Sequence, residues 1–142
     1  MSNSNLPLEF SDGINVTQIR IARPTNELDN VVRFYRDGLG LPVIGSFQNH
    51  SGYDGVMLGL PGRNYHLEFI QHASGAPCTL PSAENLLVFY VTDAEQRQKL
   101  FANLTAVGAQ EVNPENPYWL DKSRTFVDPD GWRVVICSVV GV

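Results

Sequence analysis

Apolar residues alternate with polar ones over residues 16–22, with Ile19 and Ile21 on one face and Gln18, Arg20 and Ala22 on the other. This is the pattern of a strand. Pro24 ends it, and Thr25 or Asn26 is placed to cap a helix. In that helix Leu28, Val31, Val32, Tyr35 and Leu39 recur at helical spacing, and Gly38 and Gly40 stop it. Strands over 41–47, 52–60 and 65–71 follow, with turn-forming residues at 49–51 and 61–64 between them. The Met1 end, as far as about Ser11, is Ser/Asn-rich and aperiodic and reads as a loose terminus.

After a Gly/Pro/Ser-rich linker the order repeats. Residues 85–91 form a strand, Thr92 with Glu95 makes a capping box, and Leu100, Phe101, Leu104 and Val107 line a second helix closed by Gly108. Strands over 110–112, 124–127 and 132–139 complete the half, with Asp128-Pro-Asp-Gly131 as a tight hairpin turn. Laying Gly40 on Gly108 brings Gln18 onto Leu86 and Glu68 close to Val135 or Ile136. The halves share a plan with little residue identity, which points to an internal duplication. The expected fold class is α+β: two βαβββ modules, 13–72 and 83–142, joined by linker 73–82 in one domain over 1–142.

One residue breaks the apolar pattern. The run Tyr65-His-Leu-Glu-Phe-Ile70 is apolar on both faces, so it reads as a strand buried on both sides. Glu68 lies in its middle. A buried carboxylate must be paired, bind a metal or take up a proton. Arg20 and Arg133 are the candidate ion-pair partners, and the paired state is the expected one because Arg is the usual companion of a buried acid. The other roles open to Glu68 are metal ligand, general base and anchor for a cationic group. His66 reads as a pocket acid/base or a satisfied polar residue, while His50 and His72 read as solvent-exposed at loop edges.

Composition narrows the partners. The chain has 142 residues, 43% hydrophobic and 18% charged, which is a globular balance. Its net charge of −5, with no block of like charges, argues against nucleic acid. No apolar run reaches membrane-spanning length and no leader pattern opens the chain, so the expectation is no membrane partner and a cytoplasmic protein. Cys137 reads as a core residue and Cys78 as a loop residue; two cysteines make neither a disulfide framework nor a zinc knuckle.

The segments 27–40, His66-Leu-Glu-Phe69 and Asp128-Pro-Asp-Gly131 make the chain resemble the vicinal oxygen chelate superfamily. This is the glyoxalase, bleomycin-resistance and extradiol dioxygenase group. Residues 52–57, 86–91 and 116–119 make it similar to the YycE-type subgroup. The resemblance implies strands curled into a half-open barrel with helices outside and a pocket within. In metal-dependent members four strands each supply a ligand; these positions carry over to Gln18, Glu68, Leu86 (or Asn85) and Val135. Leu86 and Val135 cannot ligate, and a divalent cation in an open site wants about three protein ligands of N/O type. No cofactor is therefore expected. A divalent metal, if bound, would use Gln18, His66 and Glu68.

The expected ligand pocket is made of Gln18, Arg20, Tyr53, Met57, His66, Glu68, Tyr90, Tyr118 and Trp119. The function expected from this resemblance is metal-free binding of a small molecule by a homodimer. The alternative is a metal-dependent lyase, isomerase or dioxygenase acting on vicinal oxygens. The sequence assigns no catalytic residue.

Overall fold

Each half of the chain places its first strand beside its last. In the first half, β3 (Ile19–Pro24) runs parallel to β6 (Tyr65–His72), and the antiparallel strands β5 (Tyr53–Gly59) and β4 (Val43–His50) complete the order β3-β6-β5-β4. In the second half, β7 (Leu86–Tyr90) runs parallel to β10 (Arg133–Cys137), followed by β9 (Ser123–Val127) and β8 (Gln110–Val112), giving β7-β10-β9-β8. The parallel pair needs a crossover, which α1 (Leu28–Arg33) and α2 (Ala94–Ala106) supply. The computed structural model describes residues 8–9, 11–59 and 62–141. Both sheets are open, and the α+β arrangement of two βαβββ modules holds.

By contacts the chain forms two compact units. One consists of the residues up to Leu28 together with Leu41–Ala76; the other joins Asp29–Gly40 to Pro77–Val142. In the first, Leu58, Leu67 and Phe69 are buried on one face of the sheet. β6 is an interior strand, and His66, Leu67, Glu68 and Phe69 are all buried, as its two-faced apolar pattern implies. In the second, Val134, Val135, Ile136 and Cys137 are fully buried on β10, and Phe101 and Leu104 of α2 pack on the same core, with Phe101 stacked on Phe126 at 6.0 Å.

Several local expectations need correction. Val16 does not belong to the strand at Ile19: Asn15–Val16 (β2) pairs with Leu8–Glu9 (β1), and Thr17 and Gln18 interrupt the run. The loose terminus therefore does not reach Ser11 unbroken; its residues 1–7 and 10, and Leu60 with Pro61, lie outside the described residues. The second helix is capped by Asp93, whose carboxylate accepts from the Gln96 N–H at 2.9 Å, so the cap sits one residue beyond Thr92. The last strand is shorter than 132–139.

Gly38 does not stop the first helix. It is buried in a π turn, Phe34–Gly38, and a Cβ there would meet Leu104 and Val107 at 3.1 and 3.2 Å. Gly40, at φ +78°, is the residue that ends the segment. At the other end Thr25 makes only a local turn, its hydroxyl accepting from the Glu27 N–H at 2.9 Å before the helix begins, and the first helical N–H, that of Leu28, donates to Gln71 Oε1 at 2.8 Å.

The hairpin at Asp128 is also more than a turn. Besides accepting from the Asp130 and Trp132 N–H groups, the buried Asp128 carboxylate accepts a hydrogen bond from the Tyr35 hydroxyl at 2.7 Å. Cys78 is exposed and Cys137 is buried.

Candidate functional site

The polar group of the first unit is built by strand register. Arg20 lies opposite His66 and Ala22 opposite Glu68, so Arg20, His66 and Glu68 project from the same face of two adjacent strands. Arg20 holds both neighbours. Its Nε donates to His66 Nε2 at 3.0 Å, and its Nη1 lies 3.2 Å from Glu68 Oε2. The Glu68 side chain is only 10% exposed, whereas Arg20 is 46% exposed, so the guanidinium reaches from the buried acid to the surface. Its Nη2 has no partner among the described residues.

This arrangement fixes the protonation of His66. A ring nitrogen that accepts from a guanidinium carries no proton, so His66 is neutral with its proton on Nδ1. Burial pushes the His66 pKa below its ordinary value, the Arg20 cation lowers it further, and Glu68 opposes the shift. As a neutral acceptor, His66 orients the guanidinium.

The remaining expected residues divide between the units. In the first, Met57 lies opposite Glu68 and is half-buried. Tyr53 is exposed and packs edge-on against His72 at 4.6 Å. His72 is therefore not a free loop-edge residue; its Nδ1 also accepts from the Ser74 N–H at 3.0 Å. Gln18 is exposed and precedes the strand.

In the second unit, Tyr118 and Trp119 form an edge-on pair in a single turn capped by Asn116, with Lys122 Nζ 3.6 Å from the centre of the Tyr118 ring. Tyr90 is exposed, and a side chain at Gly141 would meet its ring. Arg133, the other candidate partner for Glu68, donates instead to the Asn113 carbonyl at 3.0 Å.

Register also relocates one position. In the second sheet Leu86 lies opposite Arg133, two residues before Val135. In the first sheet Arg20 lies opposite His66, two residues before Glu68. If Glu68 corresponds to Val135, the counterpart of Leu86 is Arg20, two residues on from Gln18. By register the counterparts in the two sheets are Arg20 with Leu86 and Glu68 with Val135: a cation and the acid bound to it in the first sheet, two hydrocarbons in the second.

These residues do not fit a divalent cation. Glu68 and His66 already face a guanidinium, which would repel an added ion, and the second sheet offers no donor at either position. Among the described residues no group of three or more His, Cys, Asp or Glu side chains is placed to hold a metal ion.

Two family models match this chain: the YycE-like N-terminal domain over residues 19–70 and the YycE-like C-terminal domain over residues 84–138. The uncharacterized protein YycE of Bacillus subtilis (strain 168) is 50% identical over 125 residues, spanning 88% of this chain and 90% of that relative. The chain belongs to the YycE-like family.

A crystal structure of a YycE protein of unknown function from Bacillus subtilis superimposes with a TM-score of 0.89 at 48% identity, covering 95% of this chain and 98% of that one. The trypanothione-dependent glyoxalase I of Leishmania major superimposes with a TM-score of 0.64 at 19% identity, covering 84% of each chain. At that identity the likeness speaks for the fold alone. The family thus has the glyoxalase and fosfomycin-resistance fold. No helix among the described residues is long and apolar enough to cross a membrane.

Proposed function

We propose that this protein binds a small molecule without a metal ion, using the polar face around Arg20 as its anchor. The observation that carries this reading is the Arg20–Glu68 pair. In a metal-dependent relative of this fold the acid on the closing strand of the first module would hold a cation. Here the cation facing that acid is part of the protein. A guanidinium fixed by Glu68 and His66 is a preorganised hydrogen-bond donor, which lowers the ordering cost of binding.

The proposal carries further expectations: the modules 13–72 and 83–142 act as one domain, a homodimer completes the ligand cleft, and the protein is cytoplasmic. Tyr53, Met57, Tyr90, Tyr118 and Trp119 are its proposed pocket walls, and Gln18 sits at the pocket's margin. The metal-dependent lyase, isomerase or dioxygenase reading requires Glu68 to release Arg20, and no contact among the described residues favours that.

A thermal-shift screen of small metabolites and antibiotics, run in EDTA and again with added Mn2+, tests this. Hits should persist in EDTA and vanish in Arg20→Gln/Glu68→Gln, which replaces the ion pair with neutral groups of similar shape. Hits that appear only with Mn2+ and are lost in Glu68→Ala would overturn the proposal.

A further inference from the structure

The sheet face that carries Arg20 changes character across its width. From the register, three cross-strand rows share that face: Arg20–His66–Gly59, then Ala22–Glu68–Met57–Gly45, then Ile70–Gly55–Phe47. The first row is polar and the last is apolar. Glycines make the apolar end flat. A Cβ at Gly45 would lie 2.8 Å from the Met57 methyl group, and one at Gly55 would run into the Phe47 ring. Met57 and Phe47 therefore lie down over the strand beside them, in space that any larger residue would fill. The result is an apolar floor starting one row from a fixed guanidinium.

The guanidinium itself is only partly used. Glu68 contacts Nη1 and His66 accepts from Nε. That leaves Nη2 of the half-exposed Arg20 without a partner among the described residues. The paired outer N–H bonds of Nη1 and Nη2 match the spacing of two carboxylate oxygens. A neutral carbonyl satisfies one of them, whereas a carboxylate satisfies both.

Resting on the proposed metal-free function, we infer that the ligand is a carboxylate carried on a short apolar body, its two oxygens on the outer edge of Arg20 and its body over Met57 and Phe47. Glu68 and the ligand would then flank one guanidinium from two sides. The buried acid keeps the arginine in place while the exposed edge reads the ligand.

Isothermal titration of the full-length protein in EDTA tests this with benzoate, benzamide and acetate. Benzoate should bind about tenfold or more tightly than benzamide, which has the same ring without the charge, and about tenfold or more tightly than acetate, which lacks the apolar body. Arg20→Gln/Glu68→Gln should lose benzoate binding while keeping the wild-type circular dichroism spectrum. Arg20→Lys, which keeps the charge without the fork, should weaken it. Equal affinities for benzoate and benzamide overturn the inference and leave metal-free binding standing. So does the absence of any benzoate binding up to about 10 mM, where less than about 3 kcal/mol would be at stake. Benzoate binding that disappears in EDTA and returns with Mn2+ overturns the metal-free function as well.

Discussion

The two sheets have the same strand order and the same pairing of first strand with last, yet their corresponding rows carry opposite chemistry. In the first sheet the middle row is Ala22–Glu68–Met57; in the second it is Val88–Val135–Thr125. The neighbouring row is Arg20–His66 in one and Leu86–Arg133 in the other. The second sheet has closed over this position with hydrocarbon: Val135 is 0% exposed. The first has kept an acid and bound it with an arginine. The difference shows that the duplicated backbone does not demand a polar centre, so the cost of keeping Glu68 buried is maintained in one half only.

Exchanging residues between the sheets breaks the comparison most sharply. Val135→Glu places a carboxylate where no arginine waits, and should cost about 3–5 kcal/mol or prevent folding, read from the denaturation midpoint. Arg20→Ala leaves Glu68 without its partner. Because Arg20 is half-exposed and water can reach the site, the expected loss is smaller, about 1–3 kcal/mol. Making the first sheet resemble the second with Arg20→Leu/Glu68→Val should restore most of that stability while abolishing ligand binding. If this double variant is as unstable as Arg20→Ala, the pair is structural after all.

The remaining predictions are finer. His66 has a lowered pKa, so the unfolded chain takes up a proton that the folded chain resists. Stability is therefore full above the ordinary value of 6.5 and falls as pH drops below it, and a His66→Gln variant should flatten that part of the pH profile of thermal unfolding. Last, the Thr125 hydroxyl is buried with no hydrogen-bond partner among the described residues. Thr125→Val, which extends the apolar row of the second sheet, should be neutral or stabilise by less than about 1 kcal/mol.

Much of this was legible in the sequence, for identifiable reasons. The two-faced apolar run around Glu68 required a buried strand, and a buried acid required a partner; Arg20 is that partner and Arg133 is not. Matching Gly40 to Gly108 sets Gln18 against Leu86, whereas strand register sets Arg20 there. The helical segment 28–38 is two residues shorter than Ala94–Ala106, so the alignment slipped by two residues, from Arg20 to Gln18. Only strand pairing restores it.

The Tyr35–Asp128 hydrogen bond joins residues far apart in the chain, and no local pattern marks it; Tyr35 reads as one more apolar helix position and Asp128 as a turn former. Thr92 and Glu95 satisfy the capping motif one residue before Asp93, and backbone geometry chooses between them. The flat apolar floor around Met57 and Phe47 depends on which glycines face which side, and that is set by a bulged pairing between β4 and β5.

The central claim is that Glu68 answers to Arg20 and not to a metal. Elemental analysis of protein purified without a His-tag, from medium supplied with Mn, Fe, Ni and Zn, tests it most directly. The account predicts well under one equivalent of every metal, with no difference between wild type and Glu68→Ala. One equivalent of any of them, retained through dialysis and lost in Glu68→Ala, would contradict it.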